Sequence, residues 1–104
     1  MRRILVIDDM KSFDAPEDTV LVYARTLDEG IEKLPTSRWD ELWLDYLLDG
    51  WHTGMEIVEY MLDCWIIGTP LEIGLVKLVS SKHALNEQMY NELTSCYKVA
   101  RMGS

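Results

Sequence analysis

The segment from residue 3 to residue 9, Arg-Ile-Leu-Val-Ile-Asp-Asp, decides the fold class of this chain. Its four apolar residues form a continuous run rich in β-branched side chains, which is typical of a strand buried on both faces of a sheet. Two acids, Asp8 and Asp9, follow the run directly. Open α/β sheets bind their ligands at the carboxyl ends of the strands, so this pattern predicts both a buried strand and a candidate site.

Further segments repeat the strand pattern along the chain. Each is short, apolar and rich in β-branched or aromatic residues, and the last of them has the weak alternation of an edge strand. The predicted strands cover residues 3–7, 19–24, 41–45, 73–79 and 96–102.

Helical patterns separate the later strands. Thr26 with Glu29 three residues later forms a capping box, and Pro35 ends the helix that it opens. Another helix begins at Gly54, and the spacing of Leu85, Met89 and Leu93 marks a third. Strands that alternate with helices predict an α/β fold with a mostly parallel sheet. The apolar face of the second helix is expected to be core, and consists of Ile57, Val58, Met61, Leu62 and Trp65.

The connection between the first two predicted strands is too short for a helix. A parallel crossover usually needs a dozen or more residues, whereas about ten separate these strands. The composition of residues 10–18 is that of a loop, with several charged residues and Pro16. We therefore expect the first helix of the fold to be missing or reduced to a turn.

Length and charge limit the classes of function. A chain of 104 residues predicts one domain covering residues 1–104. Ten Lys and Arg against 18 Asp and Glu give a net charge of −8, which disfavours direct binding to nucleic acid. The apolar run after Arg3 is too short for a secretory signal, and no segment is apolar enough to span a membrane. These features favour a cytoplasmic protein, whose oligomeric state they leave open.

Polar residues follow three of the predicted strands. Asp8 and Asp9 follow the first strand, Asp45 ends the third, and Ser80 follows the fourth. Clustered carboxylates repel one another unless a cation or a shifted pKa relieves them, and hard oxygen ligands favour Mg²⁺ or Mn²⁺. The hydroxyl of Ser80 and the ammonium of Lys82 are candidate phosphate-binding groups. The alternative is that the three acids are only solvated residues at strand ends.

A histidine close to the same predicted edge is a candidate acid or base. His83 follows the fourth strand in sequence, and an imidazole with an ordinary pKa of about 6.5 can exchange protons near neutral pH. We take Asp45, Ser80 and His83 as candidate catalytic residues. The simpler alternative for His83 is an exposed loop residue.

These residues resemble the receiver domains of response regulators. The shared features are the strand at residues 4–9 (Ile-Leu-Val-Ile-Asp-Asp), the strand that ends in Asp45 and the strand followed by Ser80. The resemblance implies a small flavodoxin-like sheet in the order 2-1-3-4-5. It also implies that Asp8 and Asp9 bind Mg²⁺, that Asp45 is the phosphoacceptor, and that Ser80 contacts the phosphoryl group.

The chain is also similar, over nearly its whole length, to the receiver-like family predicted to process cyclic phosphates, which lacks the first helix. Tyr46 stands where that family has a histidine, and Lys82 stands where it has an asparagine. The resemblance implies a metal site that acts on a cyclic phosphate. The matching segments are residues 7–11 (Ile-Asp-Asp-Met-Lys), 29–30 (Glu-Gly), 44–50 (Leu-Asp-Tyr-Leu-Leu-Asp-Gly), 53–54 (Thr-Gly) and 79–83 (Val-Ser-Ser-Lys-His).

Three functional hypotheses follow. In the first, the chain is a Mg²⁺-dependent receiver-like protein that binds, and in its stronger form hydrolyses, a small phosphorylated or cyclic-phosphate ligand. In the second, it is a non-catalytic acidic module that regulates or inhibits a basic protein partner, as a small phage protein acts on a host factor. In the third, Asp45 accepts a phosphoryl group, although the lysine that receivers carry after their last strand is missing.

Overall fold

Five parallel strands form the centre of the computed structural model, which describes residues 1–80 and 83–101. The strands are β1 (Arg2–Ile7), β2 (Thr19–Ala24), β3 (Trp39–Leu44), β4 (Ile73–Leu78) and β5 (Val99–Arg101). They lie in the order β2-β1-β3-β4-β5, and every neighbouring pair is parallel. The predicted parallel sheet and its order are confirmed. The third strand begins two residues earlier than predicted, because Trp39 already pairs with Ile73.

Three helices cover one face of this sheet. They are α1 (Leu27–Lys33), which continues into a 3₁₀ turn (Leu34–Thr36), α2 (Gly54–Ile66) and α3 (His83–Leu93). The predicted cap of α1 is present, since Thr26 Oγ1 accepts a hydrogen bond of 3.1 Å from the backbone N–H of Glu29. Within the described ranges, none of the helices combines the length and the apolar character that a membrane crossing requires.

The helix-covered face contains the larger core. Successive residues of a strand point to opposite faces, so Leu5 and Ile7 of β1 lie on this side. They pack with Ile57, Val58 and Met61 of α2, and all five side chains are fully buried. The same core also contains Leu42, Leu44, Val76 and Leu78 from β3 and β4, and Met89 and Leu93 from α3.

Trp65, which we expected in this core, is instead 45% exposed. It lies in the last turn of α2, and its ring contacts the edge of the Tyr97 ring at a centroid distance of 5.7 Å. The helical spacing gave the correct side of α2 but not how far along the helix the core extends.

The opposite face of the sheet is covered by the connection from β1 to β2. The described residues 8–18 form no helix, which confirms the expected loss of the first helix. Phe13 of this connection packs edge-on against Trp43 at a ring-centroid distance of 5.2 Å. Its backbone N–H donates a hydrogen bond of 2.9 Å to the hydroxyl of Tyr23. A loop anchored by aromatic contacts thus covers part of the area that a helix would otherwise shield.

Candidate functional site

The carboxyl edge of the sheet holds the candidate residues in register. The backbone hydrogen-bond ladder continues beyond β3, where Asp45 N–H donates to Ile7 O at 3.0 Å. It also continues beyond β4, where Val79 N–H donates to Leu44 O at 3.0 Å. The first residues after the central strands are therefore fixed as firmly as the strands themselves.

Three carboxylates converge at this edge. One oxygen from each of Asp8, Asp9 and Asp45 can be chosen so that all three lie within 4.8 Å of one another. Asp8 is fully buried, Asp45 is 8% exposed, and Asp9 is half-buried. The structure thus brings together the three residues that the sequence proposed as metal ligands. It does so with little water to screen their mutual repulsion.

The two oxygens of Asp8 have different surroundings. Oδ1 accepts hydrogen bonds from the backbone N–H groups of Met10, at 3.0 Å, and Lys11, at 2.9 Å. Oδ2 is buried, and no donor among the described residues lies within hydrogen-bonding distance of it. A buried anionic oxygen without a partner is costly, and a cation among the three carboxylates would supply the missing interaction. The oxygen-only donor set therefore fits a hard divalent cation.

The environment of Asp45 disfavours its charged form. Burial raises the pKa of Asp45 above its ordinary value, and the negative charges of Asp8 and Asp9 raise it further. The positive charge of Lys11 opposes this shift, as does the backbone N–H of Tyr46, which donates to Asp45 Oδ1 at 2.8 Å. A divalent cation would stabilise the carboxylate in the same way as Lys11, but with twice the charge.

Lys11 and Arg25 belong to this edge, although the sequence did not identify them as site residues. Lys11 Nζ donates to the backbone O of Val79 at 3.3 Å. Arg25 donates from Nη1 to Asp8 O at 3.1 Å and from Nη2 to Ser12 Oγ at 3.0 Å, which fastens the loop to β2. The available signal was that Lys11 ends the segment of residues 7–11 (Ile-Asp-Asp-Met-Lys), which matches the cyclic-phosphate family. The contact with Val79 spans 68 residues and could not be read from the sequence.

The remaining candidates follow β4. Ser80 is buried, and its backbone O accepts a hydrogen bond of 2.7 Å from Asn86 Nδ2 of α3. Because Val79 pairs with the end of β3, Ser80 lies at the same edge as Asp45. Lys82 lies outside the described residues. His83 is the first residue of α3, and its side chain lies outside the described part of the structure.

Gly54 lets α2 begin directly against the acidic cluster. A Cβ at this position would collide with the backbone O of Asp45, and its N–H donates to Tyr46 O at 2.5 Å. Gly54 thus allows α2 to approach the backbone of Asp45 more closely than any residue with a Cβ would permit.

The next acidic residue in the chain, Asp49, has a structural role, because its Oδ1 accepts a 2.7 Å hydrogen bond from Leu27 N–H at the start of α1.

Exposed apolar residues lie on the connections next to the carboxylates. Met10 follows Asp9 directly, and Leu47 and Trp51 lie on the connection that follows Asp45. Trp51 is 99% exposed, and the other two are also exposed. The acidic cluster is therefore flanked by apolar side chains that contribute nothing to the core.

Comparisons with known proteins identify a family and a fold. The family model described as the cyclic-phosphate processing Receiver domain matches residues 3–95. A response regulator protein from Burkholderia pseudomallei, solved with a phosphorylated aspartic acid, a calcium ion and citrate, has a similar structure with a TM-score of 0.63. The identity is 13%, and the match covers 100% of this chain and 61% of that one. No curated protein matches the sequence. At this identity the structural likeness shows a shared receiver fold.

Proposed function

Since the chain belongs to the cyclic-phosphate processing Receiver domain family, we propose that it binds a divalent cation together with a small phosphorylated or cyclic-phosphate ligand. Asp8, Asp9 and Asp45 would hold the cation, which we propose to be Mg²⁺ or Mn²⁺. The observation that carries this proposal is the buried Oδ2 of Asp8, which has no hydrogen-bond partner among the described residues and lies within a cluster of oxygen donors.

A bound divalent cation would neutralise charge at the carboxylates and polarise a phosphoryl group beside it. The protein's own residues would position the ligand. Ser80 lies next to Asp45 at the sheet edge, where it can face a phosphoryl oxygen, and Lys82 follows it closely enough in sequence to contribute positive charge. His83 would give or take the proton. The role of Ser80 rests on its position at the carboxyl edge, and the roles of Lys82 and His83 rest on their places in the sequence after β4.

The stronger form of the proposal is hydrolysis of the ligand. Water would add to the phosphorus of a cyclic phosphate, one ring P–O bond would break, and the released ester oxygen would take a proton to become a hydroxyl. The product is a phosphate monoester. Nothing in this step requires an oxidant or a reductant, so the chain would act as a metal-dependent phosphoesterase.

An activity screen tests this stronger form. Phosphatase and cyclic-phosphodiesterase rates are measured over a panel of substrates with Mg²⁺ or Mn²⁺, for wild type, Asp45→Asn and Asp63→Asn. Asp63 is exposed on α2, so the control makes the same change of charge away from the carboxyl edge. We expect turnover that Asp45→Asn abolishes and Asp63→Asn preserves. Turnover that survives Asp45→Asn would rule out this mechanism.

A second candidate function is favoured by the apolar side chains beside the acids. A non-catalytic module could use Met10, Leu47 and Trp51 as contacts, with the net charge of −8 attracting a basic protein partner. We expect such a partner to bind more weakly at high salt, and we expect Trp51→Ala to abolish the binding. If no basic protein binds at low salt, this candidate fails.

The proposed setting is the cytoplasm, and the partners would include neither nucleic acid nor membrane. Both cysteines, Cys64 and Cys96, are free thiols, as a reducing compartment maintains them. The acidic net charge supports the same choice of partners.

A further inference from the structure

Lys11 reaches across the carboxyl edge of the sheet from the connection that replaces the first helix. Its Nζ donates to Val79 O, 3.3 Å away, at the end of β4. In the sheet, β3 lies between β1 and β4. A side chain that starts just after β1 and ends at β4 must therefore pass over the end of β3, which is the position of Asp45.

The backbone of Lys11 is fixed on both sides. Its N–H donates to Asp8 Oδ1 at 2.9 Å, and its carbonyl oxygen accepts from Arg25 Nη1 at 2.5 Å. The Arg25 guanidinium itself lies 4.3 Å from the centroid of the Tyr23 ring. The starting point of the Lys11 side chain is thus set by the same loop that presents Asp8.

The charges at this edge explain why a positive side chain is needed there in addition to the metal ion. Three carboxylates and one divalent metal ion leave one net negative charge, which would repel a phosphoryl group. The ammonium of Lys11 cancels this charge, and its influence already reaches Asp45, whose pKa it lowers. An ammonium carries three donors, and the carbonyl of Val79 accepts from one of them. Lys11 is also exposed, so that a ligand in solution can reach it.

We propose that Lys11 is an anion-binding residue of this site, with its ammonium contacting an oxygen of a phosphoryl group bound beside the divalent cation. This inference rests on the proposed function, because both ligands share the Asp8–Asp9–Asp45 cluster. It goes beyond that function in adding a phosphate contact from the connection between β1 and β2 to those of Ser80 and Lys82. In this role the positive charge of Lys11 weakens binding of the metal ion by repulsion and strengthens binding of the anion by attraction.

The charge of Lys11 is expected to act in opposite directions on Mg²⁺ affinity and on phosphate affinity, and this difference can be measured. Mg²⁺ alone, and inorganic phosphate at saturating Mg²⁺, are titrated calorimetrically into full-length wild type, Lys11→Gln, Lys11→Arg and Lys98→Gln. Lys98 is exposed in the segment before β5, so its variant loses the same charge at a distance from the carboxylates. We expect Lys11→Gln to weaken phosphate binding about tenfold, since a hydrogen bond to a charged group is lost. We expect the same variant to bind Mg²⁺ severalfold more tightly, and Lys11→Arg and Lys98→Gln to stay close to wild type.

Two results would overturn the assignment while leaving the proposed function intact. One is unchanged phosphate affinity in Lys11→Gln when wild type binds both Mg²⁺ and phosphate. The other is an equal loss of Mg²⁺ and phosphate affinity accompanied by a lower melting temperature, because that result would show that Lys11 only supports the loop. A wild type that binds neither ligand would instead overturn the proposed function together with this inference.

Discussion

Glu41 and Asp45 are two buried carboxylates at the two ends of the same short stretch of chain, and their surroundings are opposite. Glu41, within β3, accepts a hydrogen bond of 2.9 Å from Trp43 Nε1. It also pairs with Lys77, at 3.3 Å, and with Arg2. Asp45, directly after β3, is crowded by other acids. One carboxylate is neutralised by its neighbours, whereas the other is left in need of positive charge.

The pKa values of the two groups separate accordingly. Burial alone would raise the pKa of Glu41, but the Trp43 hydrogen bond and the two adjacent cations lower it below its ordinary value. Burial raises the pKa of Asp45, and there the acids Asp8 and Asp9 add to the shift. Burial by itself therefore does not distinguish a structural carboxylate from a functional one. What distinguishes them is whether the protein supplies the compensating charge.

The largest effect is expected when the compensated carboxylate is removed. Glu41→Gln leaves Lys77 and Arg2 without their counter-charge. We expect a loss of about 2–3 kcal/mol in the free energy of unfolding, below the range of about 3–5 kcal/mol for breaking a fully buried pair, because both cations are partly exposed. Urea denaturation measures this value, and an unchanged midpoint would contradict the structural role of Glu41.

The next effect is expected where α2 meets the acidic cluster. In Gly54→Ala the added Cβ collides with the backbone O of Asp45, so that either α2 or the end of β3 must move. We expect a destabilisation of roughly 1–2 kcal/mol, typical of overpacking, together with weaker divalent metal binding. Thermal unfolding and a Mg²⁺ titration measure the two effects. Gly74→Ala, whose Cβ would meet Asp40 O instead, is a matched control expected to lose stability but to keep its metal affinity.

The third expected effect is on the pH dependence of stability, which should differ in sign between Asp45 and Glu41. The raised pKa of Asp45 means that wild type without metal loses stability as pH rises from the ordinary value of 3.8 through the folded pKa. Asp45→Asn should therefore be more stable than wild type at neutral pH and equally stable at strongly acidic pH. The contribution of Glu41 is complete above its ordinary value of 4.5 and is lost as pH falls through its lowered folded pKa.

Chemical denaturation of wild type and both single variants over a pH series measures this separation. As pH rises, the stability of wild type relative to Glu41→Gln should increase until pH reaches the ordinary value of 4.5, whereas the stability of wild type relative to Asp45→Asn should decrease above the ordinary value of 3.8. If both differences changed with pH in the same direction, the opposite pKa shifts of the two groups would be refuted.

The smallest effect is expected at Trp51. Because its side chain is almost completely exposed, Trp51→Ala should change the free energy of unfolding by less than about 0.5 kcal/mol. It should also leave Mg²⁺ affinity unchanged, which would show that the apolar neighbours of Asp45 are not part of the carboxylate cluster. A large loss of stability would show that Trp51 packs against the protein in solution.

Local sequence patterns were sufficient to predict the parallel sheet and the convergence of the three carboxylates at its edge. The run that ends in Asp8 and the strand that leads to Asp45 both carry the signal of a buried strand within a few residues. Parallel strands then align their carboxyl ends, so the convergence of these acids follows from topology. The short connection before β2 likewise predicted the missing helix, because a helix needs a minimum length of chain.

The same patterns could not predict contacts between distant parts of the chain. The partners of Glu41 come from β1 and β4, and Lys11 reaches Val79 across most of the chain. Lys11 lies on an exposed loop, where a charged side chain carries no periodic signal. Arg2 and Lys77 lie in strands, but a local strand pattern does not give the register that brings them to Glu41. Trp65 shows the related limit for helices, since spacing predicts the buried side of α2 but not where burial ends.

Every proposed role at the carboxyl edge depends on the binding of a divalent cation by the Asp8–Asp9–Asp45 cluster. The most direct test is the melting temperature of wild type, Asp45→Asn and the control Asp63→Asn during titration with Mg²⁺ and Mn²⁺. A ligand that binds the folded state raises its stability by mass action, so we predict a rise in melting temperature for wild type and Asp63→Asn. We predict no rise for Asp45→Asn. A wild type that does not respond to either ion, or an equal rise in all three proteins, would contradict the claim.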